Sequence, residues 1–148
     1  MGIFGDFYLK VKLLSNKAVV PNNGTEFGNA GYDIYSSQDY VIHSNEEKLI
    51  STGWCCEFTP GFVMVIKEKS GRRWKDKLQV GAGVIDSNYR DEVKVVLKNI
   101  GDKPVRIKAK EKVAQFIILP IWGGKVEEVS ELDMSEDRGG GFGKTGLK

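Results

Sequence analysis

The densest set of chemically able residues in this chain runs from Gly81 to Glu92 (GAGVIDSNYRDE). Gly81 and Gly83 let backbone approach something flat, because neither carries a side chain. Asp86 sits on a turn and an aromatic ring, Tyr89, follows three residues later. A base read along a β-hairpin edge would meet backbone donors and acceptors near Gly83. Tyr89 beneath a sugar would leave no room for an extra hydroxyl, and Asp86 would be free to take a proton from water. The plainer reading of the same stretch is a hairpin with an Asx turn.

Four further segments carry chemistry. Ala30-Gly31-Tyr32-Asp33 lies in a polar loop leading into a strand. Asp33 reads either as a turn aspartate bonding nearby backbone or as an outer-sphere Mg²⁺ ligand, since Mg²⁺ keeps several waters and takes one or two carboxylates. Lys69-Ser70-Gly71 ends a strand and opens a short helical segment. Its hydroxyl, glycine and helix-start N–H groups suit phosphate, and Ser70 also reads as an N-cap. Gln115 is polar within an apolar run, so its amide is a structural bridge or a ligand contact. The last eleven residues, from Arg138 to Lys148, interleave five glycines with Phe142, Lys144 and Thr145. This tail has too little apolar mass to bury a core. It is either a frayed terminus or a segment that closes over an anion bearing a flat ring, with a glycine nest, the cations Arg138 and Lys144 and one stacking face.

Composition removes several classes. A single histidine, His43, and two adjacent cysteines, Cys55 and Cys56, are too few for a four-ligand structural zinc site or a histidine-activated nucleophile. Adjacent strand cysteines point to opposite faces, so a reduced, cytoplasmic setting is expected, or a nuclear one in a eukaryotic or viral host. Net charge is +2, too small to argue for stable nucleic-acid or membrane-surface binding. No apolar run approaches the ~18 residues a membrane span needs. Gly143-Lys144-Thr145 resembles the end of a P-loop, but the required first glycine falls on Arg138 and no helix can follow. The letters of GxGxxG at 141–146 fail for the same lack of a helix.

These residues need a scaffold, and the periodicity supplies β-strands. Phe7 to Leu13 alternates apolar and polar. Lys48 to Phe58 and Phe62 to Lys67 flank Thr59-Pro60-Gly61 and predict a hairpin with a type II turn. Val84-Ile85 and Val93 to Leu97 predict a second hairpin. Val105 to Ile107, Val113 to Ile121 and Val126 to Val129 complete the strands, and one short helix is expected over Ser70 to Lys77. At 148 residues this is one domain, an all-β sandwich, barrel or jelly roll, with the apolar pattern ending near Ser130.

Taken in order, the five segments resemble the five motifs of the trimeric dUTPase family over residues 30 to 146. AGYD stands at the first motif, SG after Lys69 at the second, GVIDSNYRDE at the third, VAQFII at the fourth and the glycine-rich tail at the fifth. The resemblance implies a distorted jelly-roll barrel over residues 1–130, and a flexible arm over 131–148 that closes a neighbouring subunit's active site. It implies a homotrimer whose three sites each draw on all three chains. The implied reaction is Mg²⁺-assisted hydrolysis of dUTP to dUMP and pyrophosphate. Asp86 would activate the attacking water, and Tyr89 would pack on deoxyribose. The backbone of Gly83, Val84 and Ile85 would read uracil, and Asp33 would hold Mg²⁺ through water. Lys69, Ser70, Gly71 and Gln115 would bind phosphates. Phe142 would stack on the base while Arg138, Gly143, Lys144 and Thr145 gather the outer phosphates.

Three positions depart from the family pattern. Lys69 stands where the second motif has arginine, so the bidentate fork is absent. Arg138 precedes Phe142 by four residues rather than five, and Lys144 replaces a small hydroxyl residue. Two alternatives share the fold: a dCTP deaminase-like enzyme, which would release ammonia, and a dUTPase-like regulatory or binding module.

Overall fold

The computed structural model describes residues 6–24 and 28–141. Eleven strands and one helical turn make up these described residues: β1 (Leu9–Leu13), β2 (Tyr32–Tyr35), β3 (Tyr40–Ile42), β4 (Glu47–Ser51), β5 (Trp54–Phe58), β6 (Phe62–Lys67), α1 (Ser70–Trp74), β7 (Leu78–Gly81), β8 (Val84–Asp86), β9 (Lys94–Asn99), β10 (Val105–Ile107) and β11 (Lys112–Pro120). The pairings form a four-stranded sheet β2-β11-β6-β8, a three-stranded sheet β4-β9-β7, and the two-stranded ribbons β1-β5 and β3-β10, all antiparallel. They wrap one core as a jelly-roll-like, all-β fold whose barrel does not close.

The core follows from alternation. In β5, Trp54, Cys56 and Phe58 turn inward while Cys55 and Glu57 turn outward; β9 buries Val95, Leu97 and Asn99 in the same way. Trp54 and Phe116 are fully buried with ring centroids 6.3 Å apart. Truncating either to alanine should cost about 3–5 kcal/mol. Tyr32 stacks on Phe116 at 5.1 Å, almost parallel, and locks β2 to β11.

Several expectations are corrected. Thr59-Pro60-Gly61 is a turn, with Gly61 at φ +86°, but it joins no hairpin: β5 pairs with β1, while β6 lies between β11 and β8. The crossing lets each strand bury its own inner face. The run from Lys48 to Phe58 is two strands, broken where Gly53 adopts φ +74°. Likewise β8 and β9 are unpaired with each other; β8 joins β6, and β9 joins β4 and β7. Asp33 lies inside a strand rather than in the loop before it. The helix stops at Trp74, and its N-cap is Lys69, not Ser70. Val126 to Val129 is not a strand: both valines are exposed and unpaired among the described residues. Trp74 is exposed as well, with the Lys77 ammonium over its ring.

Candidate functional site

The four-stranded sheet brings three of the five sequence segments, at Asp33, at Lys69 to Gly71 and at Gln115, into one region and carries a fourth on its edge strand β8. Its central strand β11 sets Gln115 opposite Asp33 of β2 on one side and Lys67 of β6 on the other. Lys69, Ser70 and Gly71 follow directly from β6 into α1. The result is a polar cavity of about 320 Å³ walled by Asn22, Asn29, Gly31, Asp33, Lys69, Lys112 and Gln115.

Its electrostatic centre is Asp33. The carboxylate accepts from Lys69 Nζ at 2.5 Å and Lys112 Nζ at 2.7 Å, and its side chain is only 13% exposed. Burial pushes this carboxyl up, but hydrogen bonds from Lys112 and Lys69, together with their charges, outweigh burial and hold it below the usual carboxylate range. The same bond to Asp33 raises Lys112. Asp33 is therefore ionised at neutral pH and flanked by two ammonium groups. Gln115 donates its amide to the Glu68 carbonyl at 2.8 Å. A side chain at position 31 would collide with the Gln115 amide, so Gly31 is required for close approach. Gln115 is thus a structural bridge that also borders the cavity. A second hollow of about 350 Å³ shares Lys69 and Lys112 and extends along α1, where Arg72 pairs with Asp76 and Glu111.

Lys112 is the residue that sequence reasoning missed. In an unbroken strand, residues 112 and 115 face opposite sides. A bulge between Lys112 and Ala114 shifts the register, and Val113 and Ala114 are both buried in succession. The extra residue returns Lys112 to the face that carries Gln115. Two consecutive small apolar residues after a lysine were the available signal.

The Gly81–Glu92 segment occupies another part of the molecule. Gly83, at φ +99°, lies against β6, where its carbonyl accepts the Ile66 N–H at 2.8 Å. Val84 is 67% exposed, Ile85 is half-buried, and the Asp86 carboxyl faces solvent at the far end of β8. Tyr89 N–H closes a turn on the Asp86 carbonyl at 3.1 Å, and the ring is partly exposed.

The register measures the distance between these two groups. Asp33 aligns with Lys67 through Gln115, whereas Asp86 aligns with Val63. Three strand spacings across and four residues along put Asp33 and Asp86 roughly 19 Å apart. One chain does not bring these two carboxylates into a common site. Arg138 is exposed, within a turn where Gly139 N–H bonds Asp137. The expected roles of Phe142, Gly143, Lys144 and Thr145 fall outside the described residues.

A metal would find limited protein support here. Among the described residues there is no group of three or more His, Cys, Asp or Glu side chains able to hold one. With Asp33 the one carboxylate among the described residues lining the cavity, a Mg²⁺ ion here would need most of its donors from phosphate oxygens and water.

Comparison with known proteins agrees with the all-β fold. The dUTPase family profile matches residues 16–146. A deoxyuridine 5'-triphosphate nucleotidohydrolase of Clostridioides difficile is 40% identical over 143 residues, covering 95% of this chain and 99% of the relative. One from Arabidopsis thaliana is also 40% identical, covering 99% and 90%. Among solved structures, a Staphylococcus bacteriophage 80alpha dUTPase variant with dUpNHpp superposes with a TM-score of 0.87 at 28% identity, covering 95% of this chain and 99% of that one. A dUTPase variant from phage phi11 of S. aureus, described with a coordinated structural Mg(II) ion, gives 0.80 at 26% identity over 85% and 99%. By the extent of these matches, this chain belongs to the dUTPase family.

Proposed function

We propose that this protein hydrolyses dUTP to dUMP and pyrophosphate at sites shared between three copies of the chain. The observation that carries the shared site is the roughly 19 Å between Asp33 and Asp86 along the register of one sheet. An α-phosphate attacked from Asp86 and a Mg²⁺ on the same triphosphate held from Asp33 would lie closer together than that spacing. Two copies placed side by side bring the Asp33 cavity of one against the Asp86 turn of another, and the arm beyond residue 130 of a third covers the opening.

In this reading, Lys69, Lys112, Gln115, Ser70 and Gly71 bind the phosphates. Backbone at Gly83, Val84 and Ile85 reads uracil, and Tyr89 packs on deoxyribose. Asp86 orients a water and takes its proton as the water oxygen bonds to the α-phosphorus. The bond from that phosphorus to the bridging oxygen breaks, and pyrophosphate leaves with the electron pair. Mg²⁺, when bound near Asp33, offsets the triphosphate charge. Phe142 stacks on the base, and Arg138, Gly143, Lys144 and Thr145 gather the outer phosphates and exclude water.

The test is pyrophosphate release from dUTP, dTTP, UTP and dCTP, with ammonia release from dCTP measured in parallel. Turnover of dUTP alone is expected. Asp86→Asn should lower kcat by about 10²–10⁴-fold while nucleotide binding stays close to wild type. Ammonia from dCTP, or equal loss of binding and turnover, would overturn the assignment.

A further inference from the structure

The turn that carries Tyr89 is tied down by a residue outside all the assignments above. Glu92 projects its carboxylate into the bend between β4 and β5. There Oε1 accepts the Ser51 hydroxyl in a short hydrogen bond and the Gly53 N–H at 2.8 Å. The adjacent pair repeats the connection: Thr52 donates its hydroxyl to the Val93 carbonyl at 2.5 Å, and Val93 N–H donates to the Trp54 carbonyl at 2.9 Å. Thr52 and Val93 are both fully buried. The bend is itself rigid. Gly53 stands at φ +74° with no space for a Cβ beside Ala18 and Ser37, and Ser51 is bonded by Ser37 and Tyr40.

Glu92 also closes the loop from the other side. Its backbone carbonyl accepts the Tyr89 hydroxyl at 3.1 Å. The loop from Ser87 to Glu92 is therefore a strut with two fixed ends. One end is the β8 pairing to β6 at Asp86; the other is the Glu92 clamp. The Tyr89 ring hangs between them, and its hydroxyl is set by the position of residue 92.

We infer that Glu92 is a positioning residue that fixes the Tyr89 ring through the β4–β5 bend and thereby sets discrimination between deoxyribose and ribose. The inference rests on the proposed dUTP-hydrolysing site. A ring that tilts away from the sugar opens the space a 2'-hydroxyl needs, so the loss falls on selectivity as well as on rate. The needed chemistry is hydrogen-bond acceptance rather than charge, because Ser51 and Gly53 are neutral donors. Lys94 lies 3.7 Å from the other carboxylate oxygen and is exposed, so it contributes little.

The test uses the full-length protein with Glu92→Ala, Glu92→Gln and, as a milder cut, Ser51→Ala. The measured quantity is the ratio of kcat/KM for dUTP to that for UTP. Glu92→Ala should lower this ratio by about 10–100-fold, because small displacements of a positioning group carry penalties of that size. Glu92→Gln, which keeps an accepting oxygen, should remain within about threefold of wild type, and Ser51→Ala should fall between. A merely structural role would reduce both substrates in proportion and leave the ratio unchanged, which overturns the inference. A second readout needs no nucleotide. Protein containing 3-fluorotyrosine reports the Tyr89 environment by ¹⁹F NMR, with Tyr89→Phe identifying the signal. The Tyr89 resonance should shift or broaden in Glu92→Ala and hold in Glu92→Gln; an unmoved resonance in Glu92→Ala refutes the clamp. If the wild type fails to turn over dUTP, the functional reading falls, while the resonance still decides the clamp.

Discussion

Replacing Gly83 with alanine probes the tightest backbone approach in the segment proposed to read the base. Two costs add. Gly83 holds φ +99°, where an L side chain is strained by about 1–2 kcal/mol. The new Cβ would also lie 2.9 Å from the Ile66 carbonyl oxygen and 3.3 Å from the Ile66 Cβ. Neither atom is a flexible side-chain end, so β8 must draw away from β6. That movement stretches the 2.8 Å bond from Ile66 N–H to the Gly83 carbonyl, a further loss of about 1–2 kcal/mol from the bond and the overpacking together. The sum is about 2–4 kcal/mol. Gly61→Ala is the internal control. Gly61 has a similar φ of +86°, but nothing lies within 4 Å of a Cβ there. It should lose only the strain, about 1–2 kcal/mol. Urea denaturation followed by circular dichroism measures both, at one protein concentration because the stability of an assembly depends on it. Where Gly83→Ala remains folded, kcat/KM for dUTP should fall by about 10–100-fold, since the backbone proposed to read the base has moved. Equal destabilisation of the two variants, or an active Gly83→Ala enzyme, would refute the argument.

The ionic centre of the cavity makes a pH prediction. The folded Asp33 carboxyl titrates below its usual value of 3.8, so its pairing with Lys69 and Lys112 stabilises the protein above that value. That stability disappears as pH falls through the depressed one. The difference in unfolding free energy between wild type and Asp33→Asn should be flat well above 3.8 and shrink as pH falls below it. A difference that persists undiminished into acid would contradict the ion-pair reading. Removing residues 138–148 should leave the assembly intact by sedimentation and lower dUTP turnover by about 100-fold or more, because a cationic, water-excluding cover is lost. A truncated protein with normal rates would place the tail outside the site.

Alternation made the strands legible. Phe7 to Leu13 alternates and Phe62 to Lys67 is a short apolar run ending in lysine, and β1 and β6 form there. Partnership was not legible. A short linker such as Thr59-Pro60-Gly61 looks like a hairpin turn, yet it serves a chain that leaves one sheet for another, and local residues do not encode that exit. Val126 and Val129 have strand-forming side chains but no neighbouring backbone to pair with among the described residues. The site followed the same division. Asp33, Gln115 and Asp86 were visible as polar residues in unusual company. Lys112 was hidden by a bulge, and Glu92 by the fact that its partners, Ser51 and Gly53, lie about 40 residues upstream.

The order of strands in the site-bearing sheet has a consequence for the chain during its synthesis. β2 and β6 are separated by β11, and β11 is the last strand to be made. At roughly 5–20 residues per second, β2 waits about 4–16 seconds on the ribosome before its partner exists. During that interval the inner edges of β2 and β6 are open to pairing with other nascent chains. The pairing that covers both edges waits until Lys112 to Pro120 appears. The face that carries Asp33 then forms late, so a translation product that ends at residue 111 carries Asp33 and Lys69 but lacks the Lys112 and Gln115 that wall their cavity.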